Sequence, residues 1–529
     1  MGVIGAFSSC DNFLDSVPMT NNDESTYFEN ENRVERGIGG IYSEVGVLYN
    51  ANFGNQLLGQ EPLFSLILLP GDDITVNNGQ NTGFESFRVQ IDDGKVLNYW
   101  SILFAIVSRA NFMLEKLEEP EVQAVCTTPG YANWCKGESY FLRAFADMRL
   151  WEGFRKAPNQ AKRIGSIEET ALPPTHGFEL LNQAISDLQQ AESLLPDSWE
   201  AKYKGRVFKN SARGMLVKCY MLRANYADQY EGGNRAQDYQ NAIAAFERIT
   251  SDSSIEGVPF GSNFDYRTEN NKESLFEYQA GHNPQKEDNP WLNQNFGGGS
   301  GSVGTYYGYF WENQYRVKSV FGPTHKLINA FENDDPRKAE TITTDIQWAA
   351  TWGMFNGYQF IKYVNGDRRG DLDNKYRATS PNNWRILRMA DVKLMVAEAY
   401  LQTGNQEAAL QQVNDVRRRA RLSTPDGSEA SAPADYTSID MDKIMNERFI
   451  ELAGEDGIRF VDLKRWHAAG FIDLAEWAKD PETNFGVNIS SQGEGTFDFK
   501  VPRNLLWPIP YQEMTRNQQM FAEGNNPGY

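Results

Sequence analysis

The chain is poor in the features that would identify several common classes of protein. No run of 18 apolar residues occurs anywhere in its 529 positions, so no segment reads as a membrane-spanning helix. Histidine is scarce, with only His176, His282, His325 and His467, and no Cys-x-x-Cys pair or Cys/His cluster suggests zinc. Basic residues are outnumbered, 51 Lys and Arg against 71 Asp and Glu, giving a net charge of −20 that would repel nucleic acid. There is no Gly-x-Ser-x-Gly elbow, no phosphate-binding loop and no paired set of metal ligands. Cysteine is limited to four. Cys219 lies on an apolar helical face and reads as packing. Cys126 and Cys135 enclose the turn-rich TTPGYANW, which suits two free thiols or, in an oxidising compartment, a loop-closing disulfide.

Apolar residues are plentiful, at 40 %, and 13 % of the chain is aromatic. In 388–421, Val392, Met395, Val396 and Ala399, then Ala409, Leu410, Val413 and Val416, recur at helical spacing on either side of a break at Thr403-Gly404-Asn405. Gly404 suits the left-handed residue after a helix end. Tyr400 and Ala409 have the spacing of a tetratricopeptide hairpin. Such a hairpin cannot bury its own apolar face, which predicts others to stack on it. Helical patterns occur at 32–48, 98–117, 133–154, 177–195, 210–226, 239–249, 442–453 and 458–469. The expected fold is mostly α, built of tetratricopeptide-like hairpins with an irregular, loop-rich half.

That irregular part runs from about 251 to 384, where Gly, Asn and aromatic residues rise together. A flexible Gly/Ser stretch at 297–302 lies between Trp291 and the cluster Tyr306, Tyr307, Tyr309, Phe310 and Trp311. A loop that long in a compact protein is usually functional. Trp348 and Trp352, four residues apart, would share one helical face, as a platform or as a core stripe. Trp507-Pro508-Ile509-Pro510 must be extended, and 504–529 shows little helical pattern. Residues 1–9, MGVIGAFSS, are small and apolar and end at Cys10, like the remnant of a bacterial lipoprotein signal. They lack a basic start, and Phe7 stands where Leu is usual.

Five segments, in order, resemble the SusD/RagB family of outer-membrane nutrient-binding lipoproteins from Bacteroidetes. They are CDNFLDSVP at 10–18, ESYFLRAFADMRL at 138–150, RMADVKLMVAEAYLQTGN at 388–405, ERFIELAGEDGIRFVDLKRW at 447–466, and the ending LLWPIPYQEMTRNQQMFAEGNNPGY. Tyr511 and Asn525 stand where the family usually has Gln. The resemblance implies a lipidated Cys10 after a signal remnant at 1–10, then one SusD-like domain over 11–529. Its helical frame, with four tetratricopeptide-like hairpins, would lie mainly in 30–250 and 385–470. Its ligand-binding part would be 251–384, and 500–529 would be an extended C-terminal segment. It implies a surface-facing protein, lipid-anchored in the outer membrane and seated on a SusC-like TonB-dependent transporter. It implies capture of oligo- or polysaccharide without cleavage and without a cofactor. A peptide-binding member of the family and an α-helical glycoside hydrolase are the alternatives.

For a sugar ligand, the aromatic cluster has the required chemistry. A pyranose offers a flat C–H face to an aromatic ring and an edge of hydroxyls to amides and carboxylates. Trp291, Tyr306, Tyr307, Tyr309 and Trp311 lie among Asn289, Asn293, Asn295 and Gln314. By the resemblance, the loop at 73–87 adds Asp73, Asn81 and Phe84. Asp367, Asp371, Asp373 and Asn374 are oxygen-rich, but Arg368 and Arg369 favour a solvated loop over a calcium site. Glu451, Glu455 and Asp462 could be drawn as an acid/base set. Salt bridges with Arg448 and Arg459 explain them better.

Overall fold

The computed structural model describes residues 27–49, 64–76, 82–280, 321–343, 358, 360–363, 382–487 and 497–529. The helical patterns form helices wherever they fall on these residues. Helix α1 (Glu31–Tyr49) buries Val34, Ile38, Ile41, Val45 and Leu48, a stripe at steps of three and four. Helix α2 (Gly94–Lys116) begins four residues before its periodic run. The Asp93 carboxylate accepts hydrogen bonds from the amides of Lys95 and Val96, at 2.8 and 3.4 Å, and so caps it there. Helices α3 (Tyr131–Phe154), α4 (Glu179–Leu194), α5 (Lys209–Asn225) and α6 (Arg235–Glu247) follow. Helices α7 (Met389–Gln402) and α8 (Gln406–Arg421) are joined through Gly404 at φ +86°, and Asn405 caps the second. Helices α9 (Met441–Glu451) and α10 (Ile458–Ala469) complete the set.

Each of α1 to α8 packs on the next in chain order, giving four stacked hairpins: α1/α2, α3/α4, α5/α6 and α7/α8. The last hairpin docks on α6 although all of 248–388 intervenes in the sequence. Helix α9 packs on α7, and α10 on α5. Helices α3 and α5 are buried on nearly every side, so their polar residues lie inside and require partners. Arg143 of α3, for example, makes a two-pronged bond to Asp187 at 2.7 Å.

The stretch from 251 to 388 contains order that periodicity does not predict. Strand β1 (Ile74–Val76) pairs antiparallel with β3 (Phe321–Pro323), Val76 opposite Phe321. Strand β2 (Ser274–Tyr278) pairs antiparallel with β4 (Trp384–Arg388), Tyr278 opposite Trp384. The tail also differs from expectation. After the extended Trp507–Pro510, two short helices form at Tyr511–Arg516 and Gln518–Glu523. The tail is fastened to the end of α3. The Trp507 amide donates to the Gly153 carbonyl at 2.8 Å, and Asn526 Nδ2 donates to the carbonyls of Phe154 and Trp507 at 3.0 and 2.7 Å.

Of the two alternatives for Cys126 and Cys135, the structure holds two thiols. Cys126 donates to the Val122 carbonyl at 3.4 Å, while Cys135 is buried in α3 beside Arg206. Cys219 is a buried thiol of α5, as its apolar setting suggests. Cys10 lies outside the described residues.

Candidate functional site

The turn between α9 and α10, Leu452 to Gly457, fastens three separate parts of the chain, around Asp73, at 360–362 and at Trp384. Its Gly454 and Gly457 have φ of +70° and +66°, which only glycine adopts without strain. The Asp73 carboxylate, just before β1, accepts the Gly454 N–H at 2.7 Å. Phe360 packs so closely on Gly454 that a Cβ there would sit 3.1 Å from its ring. Lys362 Nζ donates to the carbonyls of Glu451 and Ala453 and to Glu455 Oε1, at 3.1, 2.9 and 2.8 Å. Trp384 Nε1 donates to Asp456 Oδ1 at 3.2 Å.

Each fastened part is in turn paired with a further segment. Val76 faces Phe321, Ile342 bridges Phe360, and Tyr278 faces Trp384. The Tyr363 ring stacks on Trp384 with centroids 4.3 Å apart. Positions 281–320, 344–357 and 364–381 therefore begin and end close to these pairs, and 77–81 follows directly on Val76. Asn81, Trp291, Tyr306, Tyr307, Tyr309, Trp311, Trp348 and Trp352 belong to those stretches and lie outside the described residues, as do Asp367, Asp371, Asp373 and Asn374.

Beneath the turn is a buried lattice of ion pairs with five acids and five bases. Arg388 bonds Glu273, Glu451 and Glu455 at 2.7, 2.7 and 2.6 Å. Arg337 bonds Asp335, Glu447 and Glu451 at 2.8, 2.5 and 2.9 Å. Arg419 reaches Glu273 and Glu451, Arg417 reaches Glu447, and Lys362 reaches Glu455. Charges this deep persist only when matched, since an unpaired one would bear its full desolvation cost. Burial alone would raise Glu451, but the guanidiniums of Arg419, Arg388 and Arg337 outweigh it and hold its carboxyl well below the usual range.

Asp72 and Asp73, adjacent in sequence, are driven apart. Burial would raise Asp72, but Arg459 and Lys326 hold it at about 2. Burial pushes Asp73 up to about 6, helped by the neighbouring Asp72 and opposed by the Gly454 amide. The Oδ1 of Asp73 is buried without a hydrogen-bond partner among the described residues, which favours a proton on this carboxyl.

Two expected ligand-binding residues are interior. Asp73 is 2 % exposed and is committed to Gly454. Phe84 is 4 % exposed, edge-on to Trp507, with the Lys95 ammonium over its ring. The short helix Thr82–Glu85 turns Phe84 into the core, while Asp73 is held inside by its bond to the 452–457 turn, so neither side chain is at the surface of the described residues. Glu451, Glu455 and Asp462 are ion-paired, as expected, but with partly different partners. Asp462 takes Arg448 and Arg465, Glu451 and Glu455 take the lattice, and Arg459 takes Asp72. Of the fasteners, Lys362 was not singled out by the sequence, and Tyr363 and Trp384 were visible only as members of the aromatic-rich stretch up to 384. Their only signal was an aromatic–basic mix in a stretch of weak periodicity.

Two family models match the chain. One, described as "SusD family", covers residues 343–529, and one described as "Starch-binding associating with outer membrane" covers 13–221. The chain belongs to the SusD/RagB family. A SusD-like protein of Formosa agariphila is 24 % identical over 98 % of this SusD/RagB chain and 97 % of its own length. The fold is shared with a solved laminarin-binding SusD-like protein at a TM-score of 0.69 and 22 % identity, covering 95 % of this chain and 100 % of that one. It is shared too with a surface glycan-binding protein A from Bacteroides uniformis, at 0.66 and 17 % identity, covering 93 % and 99 %. In this SusD/RagB chain both glycines of the Gly454–Gly457 turn and most of the ion-pair lattice fall within the first match, whereas 281–320 falls within neither.

Proposed function

We propose that the protein captures oligo- or polysaccharide at the cell surface, without cleaving it, and passes it to a SusC-like TonB-dependent transporter. A lipid on Cys10 would hold it on the outer membrane. The observation that carries this reading is the rigid turn that ties Asp73, Phe360, Lys362 and Trp384 together, beside the ends of stretches whose sequence holds the eight candidate aromatic and amide residues. A sugar platform needs several rings at fixed angles, and a rigid base beside the loops that carry them favours that. Trp291, Tyr306, Tyr307, Tyr309 and Trp311 would stack on sugar faces, with Trp348 and Trp352 extending the platform and Asn81 bonding hydroxyls. The family's starch-binding description and the laminarin-binding relative of like fold support a glycan over a peptide.

Affinity electrophoresis against a polysaccharide panel tests the reading. Retarded migration without reducing-end products is expected for at least one glycan. Trp291→Ala with Trp311→Ala should weaken it by about tenfold or more, since two lost aromatic stacks remove on the order of 0.5–1.5 kcal/mol each. Product release would show an enzyme, and full retardation of the double variant would remove these two rings from the site.

A further inference from the structure

A cavity of about 230 Å³ opens between the α4–α5 connection and strand β2, apart from the turn at 452–457. Its wall includes Trp199, Lys204 and Gly205 on one side and Asn270, Lys272 and Ser274 on the other. The volume is below that of drug-sized pockets and suits about one sugar ring. Gly205 has φ +98°, and a Cβ there would come within 2.3 Å of the Gln279 side chain, so only glycine lets the connection close onto β2.

Most polar groups of the cavity are already bonded. The amides of Asn270 and Gln279 donate to each other at 2.7 and 2.9 Å. Glu277 accepts from the backbone N–H of Asn270 and from Asn383 Nδ2, with Arg385 at 3.3 Å. Asp197 is paired with Lys209 at 2.7 Å, and Arg206 is consumed by Glu138. The indole N–H of the half-buried Trp199 donates to the Val207 carbonyl at 2.8 Å, and the Arg206 guanidinium lies over its ring, 4.3 Å from the centroid, so it is the ring's remaining surface that lines the cavity. Among the described residues, the ammonium groups of Lys204 and Lys272 and the hydroxyls of Ser198 and Ser274 have no partner. Asp252 has only the Thr250 hydroxyl, at 3.4 Å. In a chain of net charge −20, this cavity thus has an excess of free positive charge.

We propose that this cavity is a second site, for a carboxylate-bearing pyranose. Lys204 and Lys272 would bind the carboxylate, Ser198, Ser274 and Asp252 the hydroxyls, and Trp199 the apolar face. That the ligand is a sugar rests on the glycan-capture reading. That it is an anion rests on the cavity's own charges.

Saturation-transfer NMR of the full chain with D-glucuronate, and separately with D-glucose, tests it. Glucuronate should bind and glucose should not. Added NaCl should weaken the binding. Lys204→Gln with Lys272→Gln, both exposed and so unimportant for folding, should reduce it about tenfold or more. Trp291→Ala with Trp311→Ala should leave it intact. Equal binding of glucose, no glucuronate binding, or indifference to the lysine changes overturns the proposal. The two readings fail separately. A protein that retards no polysaccharide but binds glucuronate through Lys204 and Lys272 keeps this site and loses the first. Retardation without glucuronate binding does the reverse.

Discussion

Asp73 shows how a single residue can be read two ways. An acidic side chain in a loop that precedes a candidate site looks like a ligand group, yet this one is a buried fastener with one oxygen bonded to Gly454 and the other unbonded. A carboxylate so placed is more comfortable protonated, hence its rise from 3.8 to about 6. The sign of the pH effect follows. Because the folded value lies above the unfolded one, the proton's stabilising contribution is complete below about pH 3.8 and is lost as pH rises through about 6. Asp73→Asn keeps an acceptor for the Gly454 amide and carries no charge. It should therefore be more stable than the parent at pH 8, by on the order of 1–3 kcal/mol, and nearly equal to it at pH 4. Urea unfolding at the two pH values checks this, and a gap independent of pH would falsify it.

At the scale of elements, what could be read from sequence depended on how each element buries itself. The hairpin helices each turn a recurring stripe inward, so Val34, Ile38, Ile41 and Val45, or Val413 and Val416, announce their helices. Their ends were less clear, because a cap such as Asp93 lies outside the stripe. The strands were illegible for a different reason. Three or five residues are too few for a period, and β2 finds its partner β4 more than a hundred residues away. The candidate platform was visible as composition, but not the turn that fastens it, since ERFIELAGEDGIRF reads locally only as helix, break and helix. Gly457 tests that turn as an element. A Cβ there would fall 1.3 Å from Ile67 Cγ2, at a φ of +66°. Gly457→Ala should cost about 2 kcal/mol or more, through the strained backbone and the displaced 64–68 segment. Hydrogen exchange should quicken first in 64–68 and at the start of α10. Uniform quickening across all helices would show instead that the turn has no local role.

For the whole molecule, the question is whether the stretch between α6 and α7 separates two bodies. We propose that it does not, and that 11–529 is one domain. Among the described residues a single apolar cluster takes in side chains from Phe28 to Met520. Helix α7 spends its faces on α5, α6, α8 and α9, so the first three hairpins would expose α6 without it. The tail returns across the fold to close the end of α3 through Trp507 and Asn526, and Arg149 of α3 pairs with Asp456 of the fastening turn. Each half thus leaves apolar and charged surface that only the other covers, and unfolding one would expose unpaired charge in the other. Differential scanning calorimetry should show a single transition whose calorimetric and van't Hoff enthalpies agree. Limited proteolysis within 281–320 should leave the two fragments associated, because their contacts are noncovalent and interior. Two resolved transitions, or fragments that separate on a sizing column without denaturant, would mean that the hairpin array folds as two bodies and that the fastening turn is an interface between them.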